Sequence, residues 1–159
     1  MKNLVLLILL IIPLFSCKDD IEPLGIHFNG TYEWTNFAEE DGGWYVHSLV
    51  FQDNGDLERW ITIRESEYGD DLGYRSIMRG TYELQIKELT VEWDEFHSLE
   101  DPEELFAPRA GLVALENASP VTQVGTVEQM DGGGKIAIEF YCNDILSNCI
   151  GKTVYTKVD

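Results

Sequence analysis

Positive charge is scarce in this chain. Eleven Lys and Arg stand against 29 Asp and Glu, a formal net charge of −18 over 159 residues. Such a molecule repels phosphate backbones and anionic headgroups, which argues against nucleic acid as a partner. The charge serves solubility and separation from a negative surface, or else attraction of a cation or a basic partner. Histidine is scarcer still: His27, His47 and His97 lie too far apart for any two to be local metal ligands. The motifs of nucleophilic, metal-assisted and phosphate-binding chemistry are missing. There is no Gly-x-Ser-x-Gly elbow, no His-Glu-x-x-His, no phosphate-cradling glycine loop and no Cys-x-x-Cys. The expectation is a protein that is not an enzyme and carries no cofactor. Carboxylate pairs of the glycosidase kind meet only in space, and with 29 acids no pair stands out.

A long apolar run is also missing. Leu4 to Phe15 is apolar and contains Pro13, which falls short of the roughly 20 residues that span a bilayer core. Behind the short positive start Met1-Lys2-Asn3 it has the length of a signal-peptide core, to be set aside in fold reasoning. Leu14-Phe15-Ser16-Cys17 follows and resembles the lipobox of bacterial lipoproteins. That resemblance implies cleavage before Cys17, a diacylglyceryl thioether on its sulfur and acylation of the new amino terminus. Two or more acyl chains give stable anchoring where one gives marginal binding. Lys18-Asp19-Asp20 is similar to the export signal that carries Bacteroidota lipoproteins across the outer membrane. The resemblance implies a lipid-anchored protein of that membrane, on its surface or on its periplasmic face. Residues 1–16 are then the signal peptide, 17–25 a lipidated tether and 26–159 one domain.

Without the leader, whose only charge is Lys2, the net charge is −19 over 143 residues. A chain of that length buries about 68% of its unfolded surface in one domain. Once Cys17 is assigned to lipid, Cys142 and Cys149 remain, separated by six residues, in a compartment that permits disulfides. A bridge between them closes a small loop and adds about 2–3 kcal/mol; two free thiols are the alternative.

Hydrophobicity in the remaining chain repeats every second residue, the mark of half-buried strands. Strands are expected at Gly30–Thr35, Trp44–Gln52, Leu57–Arg64, Arg75–Ile86, Leu89–Trp93, Gly111–Leu115, Val121–Met130, Lys135–Tyr141 and Lys152–Val158. Asp53-Asn54-Gly55-Asp56 is a tight hairpin turn, since Asn-Gly tolerates positive φ; it lacks the spacing of a calcium loop. Lys87-Glu88 and Gly132-Gly133-Gly134 mark further turns, with Tyr82, Leu84 and Ile86 sharing one face. Asp101-Pro102-Glu103-Glu104 carries an N-cap, a first-turn proline and acids that suit a helix dipole, so a short helix is expected over 102–107. The acids around His97 (Glu92, Asp94, Glu95, Glu100, Asp101) read as a solvated rim rather than a chelating set.

A meander of eight or nine strands hides its edges by closing on itself, with the last strand pairing with the Gly30 strand. Gly30-Thr31-Tyr32-Glu33-Trp34, the 49–57 hairpin and Gly80-Thr81-Tyr82-Glu83-Leu84 resemble the recurrent strands of lipocalin-like lipoproteins of Bacteroidota. The resemblance implies an all-β, antiparallel up-and-down barrel that holds a small apolar or amphipathic ligand. The candidate pocket residues are Trp34, Tyr45, His47, Arg59, Tyr82 and Trp93. If the turn at Gly55 carries a G1 bulge, Phe51 faces Leu57, Leu49 faces Arg59 and His47 faces Ile61. That puts two polar groups, Arg59 and His47, on an inward apolar face that suits a small-molecule pocket. A two-residue turn instead sends Arg59 to solvent. A barrel filled by its own side chains, docking an envelope protein through its loops or acidic rim, is the other reading.

Overall fold

Alternating hydrophobicity becomes strand along most of residues 28–141 and 151–159, which are the residues that the computed structural model describes. Nine strands follow one another: β1 Gly30–Ala38, β2 Gly43–Phe51, β3 Asp56–Arg64, β4 Asp71–Gln85, β5 Glu88–Ser98, β6 Val113–Ala114, β7 Val121–Met130, β8 Lys135–Phe140 and β9 Thr153–Lys157. Neighbours pair antiparallel in the order β4-β3-β2-β1-β9-β8-β7-β5, and β4 also pairs with β5, so eight strands close into a barrel. β6 lies outside that ring, paired with the last residues of β5 beyond the stretch that β7 takes, with His97 opposite Ala114. The final strand closes the barrel on the first, Tyr32 opposite Lys157 and Glu33 opposite Thr156. Among the described residues, closure leaves no long edge to pair with another chain.

The hairpin at Gly55 has the bulged geometry. Gly55 takes φ 86°, its N–H donates to the Gln52 carbonyl at 3.1 Å, and the Gln52 N–H donates to Asp56 at 3.0 Å. The register that follows sets Phe51 opposite Leu57, Leu49 opposite Arg59 and His47 opposite Ile61. Arg59 therefore alternates inward with Leu57, a core residue.

Two local expectations give way to pairing between distant segments. Residues 102–107 form no helix. Asp101 does cap the segment, its carboxylate accepting the Glu103 N–H at 2.9 Å, and one turn forms as the Glu104 N–H reaches the Asp101 carbonyl at 3.2 Å. The chain is then drawn out, because Ala107 and Tyr74 exchange both backbone hydrogen bonds, at 2.8 and 2.9 Å. Two ladder bonds outweigh a helix whose nucleus is costly and whose length is a turn or two. The next turn is a single 3-10 turn at Arg109–Gly111, opened by Pro108. The second correction is the β4–β5 hairpin. Gln85 pairs with Glu88, so Ile86 and Lys87 make the turn. Ile86 has φ 60° and is 81% exposed, off the face that Tyr82 and Leu84 share.

The interior is built in two storeys. At the end carrying the 53–55, 86–87 and 131–134 turns, Phe28 enters the barrel ahead of β1 and is 1% exposed. Its ring lies 5.2 Å from Phe51 and 6.2 Å from Tyr32, and Tyr82 stacks edge-on against Phe51 at 5.0 Å. The Tyr82 hydroxyl donates to the Phe28 carbonyl at 3.1 Å. Leu57, Leu89, Val91, Trp93, Val127, Ile136 and Ile138 continue this floor, all buried. Gly80 fits the floor for lack of a side chain: a Cβ there would lie 1.9 Å from the Glu92 carbonyl oxygen and 2.9 Å from the Trp93 Cα. The other end carries the 39–42, 65–70 and 99–120 loops, and towards it Asn36, His47 and Arg59 join Ile61 and Ile63 on the inward face.

Candidate functional site

Period-two alternation in three neighbouring strands brings the site together. Trp34 and Asn36 on β1, Tyr45 and His47 on β2, and Arg59 on β3 all stand on the inward face. Trp34 is opposite His47, and Asn36 opposite Tyr45. Each is partly buried, so this upper storey is reached by water while the floor is not.

The polar groups form a chain with one consistent set of protons. An arginine side chain has donors only. The Arg59 contact to His47 Nδ1, 3.5 Å long, therefore needs a lone pair on Nδ1. The proton sits on Nε2, which donates to Asn36 Oδ1 at 3.1 Å. Trp34 closes one side of the imidazole with ring centroids 4.6 Å apart. Burial and then the Arg59 charge lower the His47 pKa to about 4, so His47 is neutral across the physiological range. The same cation bears on Tyr155 of β9, whose pKa is raised by burial and pulled back by Arg59. At the rim the Arg75 guanidinium lies over the Tyr45 ring, 5.7 Å from its centroid. The Tyr45 hydroxyl donates to Asp41; burial, then that hydrogen bond, raise the Tyr45 pKa.

Arginine partners differ between wall and mouth. On the outer wall Arg64 holds Glu33 at 3.1 Å and Asp71 at 2.5 Å. Arg79 holds Glu58 at 2.8 Å and Glu95 at 3.0 Å, and Arg109 reaches the same Glu58 while lying over Trp60 and Tyr74. Among the described residues, Arg59 and Arg75 have no carboxylate within salt-bridge distance. Two clefts lie outside the interior. One of about 440 Å³ lies on the outer wall between Asp56, Glu58, Arg79, Asp94 and Arg109, and one of about 370 Å³ lies by Asn29, Gln129 and Lys157. Neither of these two clefts is lined by Trp34, Tyr45, His47 or Arg59.

Of the six candidate pocket residues, Trp34, Tyr45, His47 and Arg59 meet in the cup formed by this upper storey. Tyr82 and Trp93 do not. Tyr82 belongs to the aromatic plug at the far end, and Trp93 is buried in the floor with its indole N–H donating to Gln123 at 2.8 Å. Both face inward as expected, but at the wrong height. Asn36, Arg75 and Tyr155 complete the cup and were not singled out from the sequence. Alternation from Trp34 marks Asn36, and Tyr155 lies on the strand expected to close against β1. Arg75 had no such signal, because it is the residue passed over by a register shift between β3 and β4. Cys17, Cys142 and Cys149 lie outside the described residues. Comparison with protein-family models, curated proteins and solved structures finds no match to the chain.

Proposed function

We propose that this is a lipid-anchored, non-enzymatic protein of the outer membrane whose barrel receives a small apolar or amphipathic molecule at its open end. The observation that carries the reading is the two-storey interior. A floor sealed by Phe28, Phe51 and Trp93 supports a cup with aromatic walls and a few polar groups, the composition of small-molecule sites. Anchoring rests on the lipobox resemblance at Cys17. Residues 17–27 extended reach about 35–40 Å. They join the domain at Phe28, beside the closed end. Cys142 and Cys149 are paired in this reading.

The test is extraction of the full chain purified from its native membranes. A small amphipathic molecule should be recovered in near-stoichiometric amount, and its yield should drop on Trp34→Ala with the fold retained by circular dichroism. Recovery of no such molecule, with no effect of Trp34→Ala on any added amphiphile, sinks the reading. Mass spectrometry of the mature amino terminus tests the anchor, and an unmodified terminus at a residue other than Cys17 refutes it. The second reading, a docking module with a filled barrel, draws on the charged outer-wall cleft at Arg109. It predicts capture of an envelope protein that Arg109→Glu abolishes.

A further inference from the structure

Assuming a ligand in the cup, we infer that it is an anionic amphiphile whose oxyanion head, a carboxylate in the simplest case, is met by Arg59 after passing Arg75. The selection of partners argues for this. Every acid in the chain was available to neutralise an interior cation, and 29 are present. The three wall arginines each have carboxylate partners. The two arginines without one among the described residues are the two at the mouth.

Geometry narrows the class further. Arg59 spends one N–H on His47 Nδ1, in a long contact of 3.5 Å, and has five in all, arranged in a fork that suits a carboxylate or another oxyanion. The His47 tautomer required by that contact leaves its Nε2–H on Asn36. Histidine therefore holds the guanidinium in place without adding a second charge, and Arg59 alone balances the ligand. Beside it lie Leu49 and Met78, its cross-strand neighbours on either side. Those apolar walls favour a chain attached to the anion over a bare ion. Charged hydrogen bonds also strengthen away from bulk water. The chain at large repels anions, so Arg75 at the rim is the local positive site by which one enters.

The experiment uses the full chain in nanodiscs, with empty nanodiscs subtracted, titrated calorimetrically with octanoate, octanol and acetate. Octanoate should bind about tenfold or more tightly than octanol, the scale of one hydrogen-bonded charge pair. Arg59→Gln should erase that difference and leave octanol unchanged, Arg59→Lys should keep much of it, and Arg75→Gln should weaken octanoate alone. Thermal melts of each variant show whether it is folded. Equal affinities for octanoate and octanol, or a preference that survives Arg59→Gln, overturn the inference while the cup remains a binding site. Acetate binding as tightly as octanoate overturns the amphiphile in favour of a bare anion. Failure of all three probes overturns both this inference and the ligand-binding reading beneath it.

Discussion

Phe28 is the residue whose removal tests the two-storey interior most directly. It precedes the first strand, yet it is 1% exposed and wedged between Tyr32 and Phe51. Replacing it with alanine deletes the whole ring from a site that cannot collapse, because its neighbours sit on paired strands. Phe-to-Ala changes in such settings cost about 3–5 kcal/mol, out of about 5–15 kcal/mol for an entire domain. At about 3–5 °C per kcal/mol for a chain of this size, the melting temperature should fall by roughly 10–20 °C. Phe37→Ala is the control: that ring is 49% exposed and has one aromatic neighbour, Trp44 at 5.5 Å, so its loss should cost no more than about 1 kcal/mol. The Tyr82 hydrogen bond to the Phe28 carbonyl is to backbone and survives in principle, so the difference reads side-chain packing. Thermal unfolding followed by near-ultraviolet circular dichroism measures both. Equal shifts for Phe28→Ala and Phe37→Ala would refute the plug.

Three further expectations follow from the same geometry. Gly80→Ala should destabilise the barrel by about 1–3 kcal/mol or more, since the new methyl meets backbone of Glu92 and Trp93, which has no rotamer to escape into; a melt within error of the parent would show that β4 and β5 can part there freely. His47 makes stability depend on pH. With a folded pKa of about 4 against 6.5, the unfolded chain takes up the proton first, so its contribution is complete above pH 6.5 and is lost on acidification from 6.5 down to 4, on the order of 2–3 kcal/mol at most. His47→Gln should flatten that part of the stability curve relative to the parent, and two parallel curves would contradict the buried neutral imidazole. Met78→Glu puts a carboxylate on the direct cross-strand neighbour of Arg59, within reach for an internal ion pair. It should abolish octanoate binding while sparing octanol, and unchanged octanoate affinity would mean that Arg59 is not the head-group site.

What could be read from the sequence was whatever a short stretch of chain decides for itself. Period-two alternation located the strands. Asn54-Gly55 located a tight hairpin but left a bulge and a two-residue turn open, and the bulge found in the structure sets the register of β2 on β3 as far as Arg59. What could not be read was decided by partners distant in sequence. The 101–104 signals are real, and Asp101 caps as expected, but the fate of 105–107 depends on Tyr74, some thirty residues earlier. Ile86 is a similar case. A β-branched residue at positive φ is disfavoured locally, and it is held there because Gln85 and Glu88 pair across a two-residue turn. Phe28 precedes every expected strand, so no alternation pointed to it.

The candidate site was half legible for a reason that applies to any closed barrel. Alternation tells which side of the wall a residue faces. It says nothing about height along the axis, because height depends on every register between one strand and the next. His47 pairs with Ile61, and Leu57 pairs with Gly80, which pairs with Trp93. Trp93 thus shares a layer with Leu57, below Arg59, although Trp93 and His47 both point inward. One bulge between Arg79 and Gly80 contributes to that offset. Partner choice supplies what alternation lacks. In a chain this acidic, a carboxylate beside an arginine is the default, and three of the five described arginines follow it. Departure from the default at Arg59 and Arg75 is therefore informative in a way that the presence of arginine alone is not. It separates mouth from wall among residues that the sequence presents as alike.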